Sequence, residues 1–347
     1  MLALVSCNKA DDQAQEGLEQ DQQESPSQEK NSEDDSDTAD SQDGTNTPVE
    51  AEKITVKSLK GATSMAMAKV IMDEKAKADS LYDFEVVTMA PDIVQGLAKG
   101  EVDIAAIPAN LAATLYNQTQ GNVVVASTNA LNVLYIVDND TSIQSVKDLA
   151  GRTIYATGQG QTPEYVLAEV LRLNDLTIGE DVNVEFRAEA TEIANILATE
   201  EGSIALLPQP FATVAQTQND KINFAINLND LWKEAYDTDI VTGVLVFNKT
   251  FLRQSDEKII DDFLEAYKES IDFLEEDVDK AAAFIEDLDI VKAAIAKKAL
   301  PYMEMDALEG DDLKEALSAY LEVLYKANPK SIGGSLPADD FYYNDQD

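Results

Sequence analysis

From Lys53 onward the chain alternates short apolar runs with amphipathic stretches. Lys53–Val56 has the character of a strand, and Lys57–Ser64 reads as a loop. From Met65 to about Ala78 the spacing is helical, with Met65, Ala68, Met72 and Ala76 near one face. Phe84–Thr88 predicts a strand. Pro91–Lys99 predicts a short helix with proline near its start, and Val102–Ile107 a strand stopped by Pro108. The order strand, helix, strand, helix, strand then recurs. Thr153–Ala156, a helix over 163–174, Val182–Arg187, a helix over 191–199 and Ser203–Leu207 repeat it, ending at Pro208. The two units match in detail: Phe84-Glu-Val with Val184-Glu-Phe, Asp92-Ile with Glu192-Ile, and Gly100–Pro108 with Glu201–Pro208.

Apolar strands alternating with helices imply mostly parallel sheets covered on both faces, and two such units imply two similar α/β lobes. A β-rich run follows each unit, Asn129–Val137 and Asp239–Phe247. These are expected to be the strands by which the chain leaves and re-enters the first lobe. Beyond Ser255 the pattern turns helical, over 255–276, 278–287, 289–299 and 311–327, packing back on the first lobe. Asn328-Pro329 breaks the last helix, and 331–347 reads as a loose tail.

Charge narrows the function. The 347 residues carry 26 Lys+Arg against 66 Asp+Glu, a net charge of −40. A phosphate backbone needs a basic face, so nucleic acid is excluded as a partner. No histidine is present, which removes His-dependent triads, His-ligated zinc and imidazole acid–base chemistry. The single cysteine allows no internal disulfide. No cofactor or metal site is expected. The acidic cluster Asp272, Glu275, Glu276, Asp277 and Asp279 lacks the spacing and glycine of a calcium loop and reads as a solvated helix face.

Residues 8–52 hold 15 Asp and Glu against two Lys, and the rest of the chain is acidic as well. Residues 8–52 hold no aromatic residue and are dominated by Gln, Ser, Asp and Glu, a disordered tether by composition. Ahead of them, Leu4-Val5-Ser6-Cys7 resembles the lipobox of bacterial lipoproteins. On that resemblance 1–7 is a signal remnant and Cys7 the lipidated residue, anchoring the chain at the extracytoplasmic face of the membrane.

The body as a whole resembles the solute-binding lipoproteins of ABC importers, in the nitrate/sulfonate/taurine (SsuA-like) group. The carriers are Lys60-Gly-Ala-Thr-Ser64, Gly100-Glu-Val-Asp-Ile-Ala-Ala-Ile-Pro-Ala-Asn110, Leu149-Ala-Gly-Arg-Thr-Ile-Tyr155, Tyr155–Tyr165 and Leu207-Pro-Gln-Pro-Phe211. Gln209 departs from the pattern, since Glu is common there. The resemblance implies a two-lobed type II periplasmic-binding-protein fold with hinge crossing strands. Lobe I is expected over 53–133 plus 245–343 and lobe II over 134–244. It further implies a monomer that captures a small solute, a sulfonate- or nitrate-like anion or a thiamine-precursor-like pyrimidine, for a permease and its ATPase. A cytosolic biosynthetic enzyme of menaquinone or thiamine-pyrimidine type is the alternative on the same fold. The thiamine-pyrimidine route relies on histidine, which counts against it here.

In such sheets ligands sit beyond the C-terminal ends of the strands, beside helix N-termini. The paired loops Lys60, Gly61, Thr63, Ser64 and Gly158, Gln159, Gly160, Gln161, Thr162 are therefore the expected binding elements. Glycine admits close backbone approach, and hydroxyl and amide side chains supply partners. Thr162 also reads as a helix N-cap before Pro163. Asn110 and Gln209, just past the strand-ending prolines, and Asn129 and Thr242, on the crossing runs, complete the candidate set. Tyr135, Tyr155 and Trp232 are aromatic residues more in keeping with core than with stacking on a solute.

Overall fold

A computed structural model describes residues 53–344. Cys7 and the acidic stretch 8–52 lie outside the described residues.

Ten strands form two five-stranded sheets among the described residues. The first combines β1 (Ile54–Leu59), β2 (Tyr82–Val87), β3 (Ile104–Pro108), β4 (Val123–Ala130) and β10 (Gly243–Asn248), in the order β2-β1-β3-β10-β4. The second combines β5 (Leu134–Asp138), β6 (Thr153–Ala156), β7 (Asn183–Phe186), β8 (Ile204–Pro208) and β9 (Asn223–Asn227), in the order β7-β6-β8-β5-β9. The orders correspond position by position. In each sheet the fourth strand runs antiparallel to its neighbours, β10 between β3 and β4, and β5 between β8 and β9. That strand comes from the far side of the junction, so each lobe is completed by chain that has just crossed from the other.

The first lobe carries α1 (Ala62–Met65), α2 (Ala68–Lys75), α3 (Ala90–Lys99) and α4 (Ala109–Gln118). The second carries α5 (Thr162–Leu173), α6 (Ala190–Thr199), α7 (Phe211–Gln218) and α8 (Leu228–Tyr236). After β10 come α9 (Lys249–Gln254), α10 (Glu257–Glu276), α11 (Val278–Asp287), α12 (Ala293–Ala299) and α13 (Gly310–Ala327). Every residue of β3, β4, β5 and β10 is buried, as expected of strands covered on both faces. At about 1.5–3 kcal/mol for each large apolar side chain, these runs supply much of the drive to fold.

Several boundaries differ from the sequence expectation. The first strand continues through Leu59 rather than ending at Val56, because parallel pairing with β2 holds it to the Leu59–Val87 register. The first helix is split. Gly61, at φ 132, starts a short turn at Ala62, and a second helix begins at Ala68. The expected crossing runs are not continuous strands. The chain passes between sheets in the short segments 131–133 and 237–242, joined where the Thr242 N–H donates to Ala130 O at 2.9 Å and the Ile240 N–H to Asn132 Oδ1 at 3.1 Å. The tail, expected to be loose, is docked as far as it is described. Phe341 is wholly buried, 5.1 Å edge-on from Tyr116, and the Tyr343 N–H donates to Val125 O at 2.8 Å.

The lobes also pack directly on each other. Trp232 of α8 lies 5.6 Å from Tyr320 of α13, and the Tyr135 hydroxyl donates to Tyr302 O at 2.9 Å. Trp232 and Tyr135 are thus structural, as their buried aromatic character suggested.

Candidate functional site

A cleft of about 740 Å³ opens between the C-terminal ends of the two sheets. Corresponding loops of the two repeats line it. Lys60, Gly61 and Thr63 follow β1, and Thr157, Gly158, Gln159, Gln161 and Thr162 follow β6. Thr88–Pro91 follow β2, and Arg187–Thr191 follow β7. Pro108 ends β3, while Pro208 and Gln209 end β8. The crossing segments add Val133 and Thr242. Across the gap, the Phe211 ring edge stands 3.3 Å from where a Cβ on Gly61 would lie, so only a glycine leaves that passage open.

Nine of the thirteen expected binding residues therefore meet in one cleft: Lys60, Gly61, Thr63, Gly158, Gln159, Gln161, Thr162, Gln209 and Thr242. Four do not line it. Ser64 is wholly buried, and its Oγ lies 3.0 Å from both the N and the O of Gly61, bracing that turn. Asn129 is enclosed within β4, leaning over Gly243 beside Thr63, because all of β4 is sandwiched between helices. Asn110 was expected in a loop at the cleft mouth, but it sits in the first turn of α4 and faces the neighbouring lobe. Its Nδ2 donates to Gly160 O at 3.3 Å and Ser331 O at 3.1 Å, and its Oδ1 accepts the Thr162 hydroxyl at 3.2 Å. Asn110 and Gly160 are thus a clasp between lobes, and Thr162 serves both clasp and cleft.

The N-terminus of α5 also differs from expectation. The cap is Gln161, not Thr162. Pro163 has no N–H, and the N–H groups of Glu164 and Tyr165 both point to Gln161 O. The Glu164 carboxylate accepts the Gly160 N–H at 2.6 Å. An acidic side chain from the first turn already occupies this end of the helix dipole.

Two contributions were not anticipated. Arg187 lines the cleft, yet it is engaged from three sides. It donates to Glu185 at 2.9 Å, pairs with Glu192 at 3.1 Å and lies 5.1 Å over the Tyr155 ring. The hydrogen bond to Glu185 chiefly raises its pKa further. The second is the junction of α11 and α12, where Glu286 of α11, Asp289, Ile290, Val291 and Lys292 of the connection and Ile295 of α12 line the cleft. A helix was expected over 289–299, but it starts only at Ala293, and the connection before it lines the cleft. The repeat gave no signal for Arg187, since extending the match of Phe84–Val86 with Val184–Phe186 pairs it with Val87, which is buried and does not line the cleft. The junction carries no local signal, because it arrives from a distant part of the chain.

Ionisable lining groups balance: Lys60, Arg187 and Lys292 against Glu189, Glu286 and Asp289. All six are at least partly exposed, whereas Thr63, Pro108, Val133, Thr162 and Gln209 are buried. The cleft thus has charge towards solvent and an uncharged floor. Among the described residues no group of three acidic or cysteine side chains is placed to hold a metal ion, and no helix is long and apolar enough to cross a membrane.

Two lobes of matching strand order, completed by exchanged strands and enclosing such a cleft, define the periplasmic-binding-protein class of fold. Solved structures agree on this. An ABC transporter protein from Parabacteroides distasonis aligns with a TM-score of 0.70 and 23% identity, over 84% of this chain and 99% of that one. The aliphatic sulphonate binding protein SsuA of Escherichia coli gives 0.67 and 14%, over 84% and 92%. The alkanesulfonate-binding SsuA of Xanthomonas axonopodis pv. citri, bound to MOPS, gives 0.64 and 12%, over 80% and 93%. No curated protein matches the sequence. Residues 72–299 match the model of the family described as ABC transporter, phosphonate, periplasmic substrate-binding protein, and the chain belongs to that family.

Proposed function

We propose that the protein captures a small solute in the interlobe cleft and presents it to the permease and ATPase of an ABC importer. The observation that carries this is the cleft's construction, with the same three loops of each repeat converging on one space. Lobe I over 53–133 plus 245–343 and lobe II over 134–244 close on the solute by hinging at the crossing segments 131–133 and 237–242. Solute favours the closed form by its added contacts with the second lobe. The volume lies in the range of clefts that enclose small organic molecules. It accommodates either class raised by the sequence, a sulfonate- or nitrate-like anion or a pyrimidine. Membership of a transport family favours this reading over the biosynthetic-enzyme alternative.

The protein acts as a monomer, held at the extracytoplasmic face of the cell membrane by lipid on Cys7 with 8–52 as its tether. The test has two parts. Chain purified without refolding is denatured, and the released small molecules are identified by mass spectrometry. A released solute that rebinds with 1:1 stoichiometry supports the reading, and retention of nothing from lysate or growth medium refutes it. Cells fed a radiolabelled fatty acid should label the wild type and not Cys7→Ala. Label on both, or on neither, refutes the anchor.

A further inference from the structure

Among the residues that line the cleft, Gln209 carries a buried donor with no acceptor in the protein, its Nε2. Gln209 is wholly buried and forms part of the cleft wall. Its backbone N–H and side-chain oxygen are engaged. The backbone N–H donates to Val133 O at 2.9 Å, and Oε1 accepts the Thr213 N–H at 3.3 Å and the Thr213 hydroxyl at 2.8 Å. A backbone N–H requires an oxygen partner, so the amide cannot be turned over, and its NH₂ group is the half left without a bond. A buried, unsatisfied donor at a cleft wall needs a reason, and an arriving acceptor supplies one.

The surroundings indicate which kind of acceptor. The lining residues beside Gln209, namely Val133, which accepts its backbone N–H, and the chain neighbours Pro208 and Phe211, bear no charge. Of the lining cations, Arg187 is held by Glu185 and Glu192, and Lys292 by Glu286 at 3.1 Å. The third, Lys60, faces Asp289 at 3.8 Å. The N-terminus of α5 already carries the Glu164 carboxylate. A dianionic group against Gln209 would be desolvated with no countercharge beside it, which is costly. A neutral acceptor meets no such penalty.

We infer that Gln209 is a specificity-determining residue whose Nε2 donates to an uncharged acceptor, a carbonyl oxygen or an aromatic ring nitrogen, on a solute with an apolar body. The inference rests on the cleft being the solute site. The probes are shape-matched pairs, nicotinamide with nicotinate and benzamide with benzoate, together with methylphosphonate. Each is titrated calorimetrically at millimolar concentration into the full chain. The amides bind at least about tenfold more tightly than their carboxylate twins, following the cost of burying a charge without a partner. Gln209→Glu keeps an oxygen for Thr213 and replaces the donor, and it weakens amide binding about tenfold to a hundredfold. Gln209→Met, an uncharged substitute of similar length, weakens it as well, which separates loss of the donor from added charge.

Tighter binding of the carboxylates or of methylphosphonate overturns the inference, as does amide binding unchanged in both variants. If no probe binds, the solute class is wrong, while a solute identified by mass spectrometry still upholds the transport reading.

Discussion

Asn110 bridges the lobes through one side chain, so its replacement has a calculable effect. In Asn110→Leu the shape is nearly kept, but Gly160 O, Ser331 O and the Thr162 hydroxyl each lose a partner. A net contribution near 1 kcal/mol per hydrogen bond, with extra cost where a buried group is left unsatisfied, gives a loss of about 2–4 kcal/mol. For a chain of this size that is a fall in Tm of roughly 3–6 °C. Differential scanning calorimetry of the solute-free protein reads this directly. Asn110→Asp keeps an acceptor for Thr162 but places a carboxylate against two carbonyl oxygens, so it should melt no higher than the leucine variant. A change below about 2 °C in both would refute the clasp, since a buried bridging amide cannot be removed that cheaply.

Other consequences are equally direct. A Cβ on Gly243 would lie 2.3 Å from Asn129 Oδ1 and 2.7 Å from Thr63 Cγ2. Gly243→Ala should therefore cost about 1–3 kcal/mol by overpacking, and also weaken solute binding by displacing Thr63, read by urea unfolding and calorimetric titration. Burial raises the pKa of Glu169, but hydrogen bonds from Arg172, at 2.7 and 2.8 Å, and from the Tyr236 hydroxyl outweigh it, so the carboxyl lies below its ordinary 4.5. A lowered folded-state pKa stabilises above the unfolded value, and that stabilisation fades as pH falls through the folded one. The urea midpoint of Glu169→Gln should thus trail the wild type near pH 6 and approach it near pH 3. Phe341→Ala, which empties a wholly buried ring site, should cost about 3–5 kcal/mol by thermal melting, and a loose tail would show none of it.

The duplicated frame could be read from the chain because strands buried on both faces appear as unbroken apolar runs. Ile104–Pro108 and Ile204–Pro208 stand out for that reason, and the prolines that end them mark the cleft wall. Helix α4 was hidden because it follows Pro108 directly with small residues, and nothing in Ala109-Asn-Leu-Ala announces a helix face. Residue type located the site loops but not the direction of each side chain. Ser64, Asn110 and Asn129 have the polar groups of a binding residue, yet the packing around α1, α4 and β4 turns them towards their own protein. The lining at Glu286–Ile295 depends on where the tail of one lobe returns, a property of the assembled fold alone.

The final residues have a protective consequence. Strand β4 is the outermost of its sheet, and Tyr342 bridges to Val125 in parallel while the Tyr343 N–H closes onto Val125 O. A bare sheet margin is a template on which a second chain can add. Proteolytic trimming behind Ile332 would remove that cover and leave a sticky border, so nicked material should self-associate while intact material stays dispersed. Affinity tags are accordingly better carried ahead of Lys53 than fused against the aromatic plug.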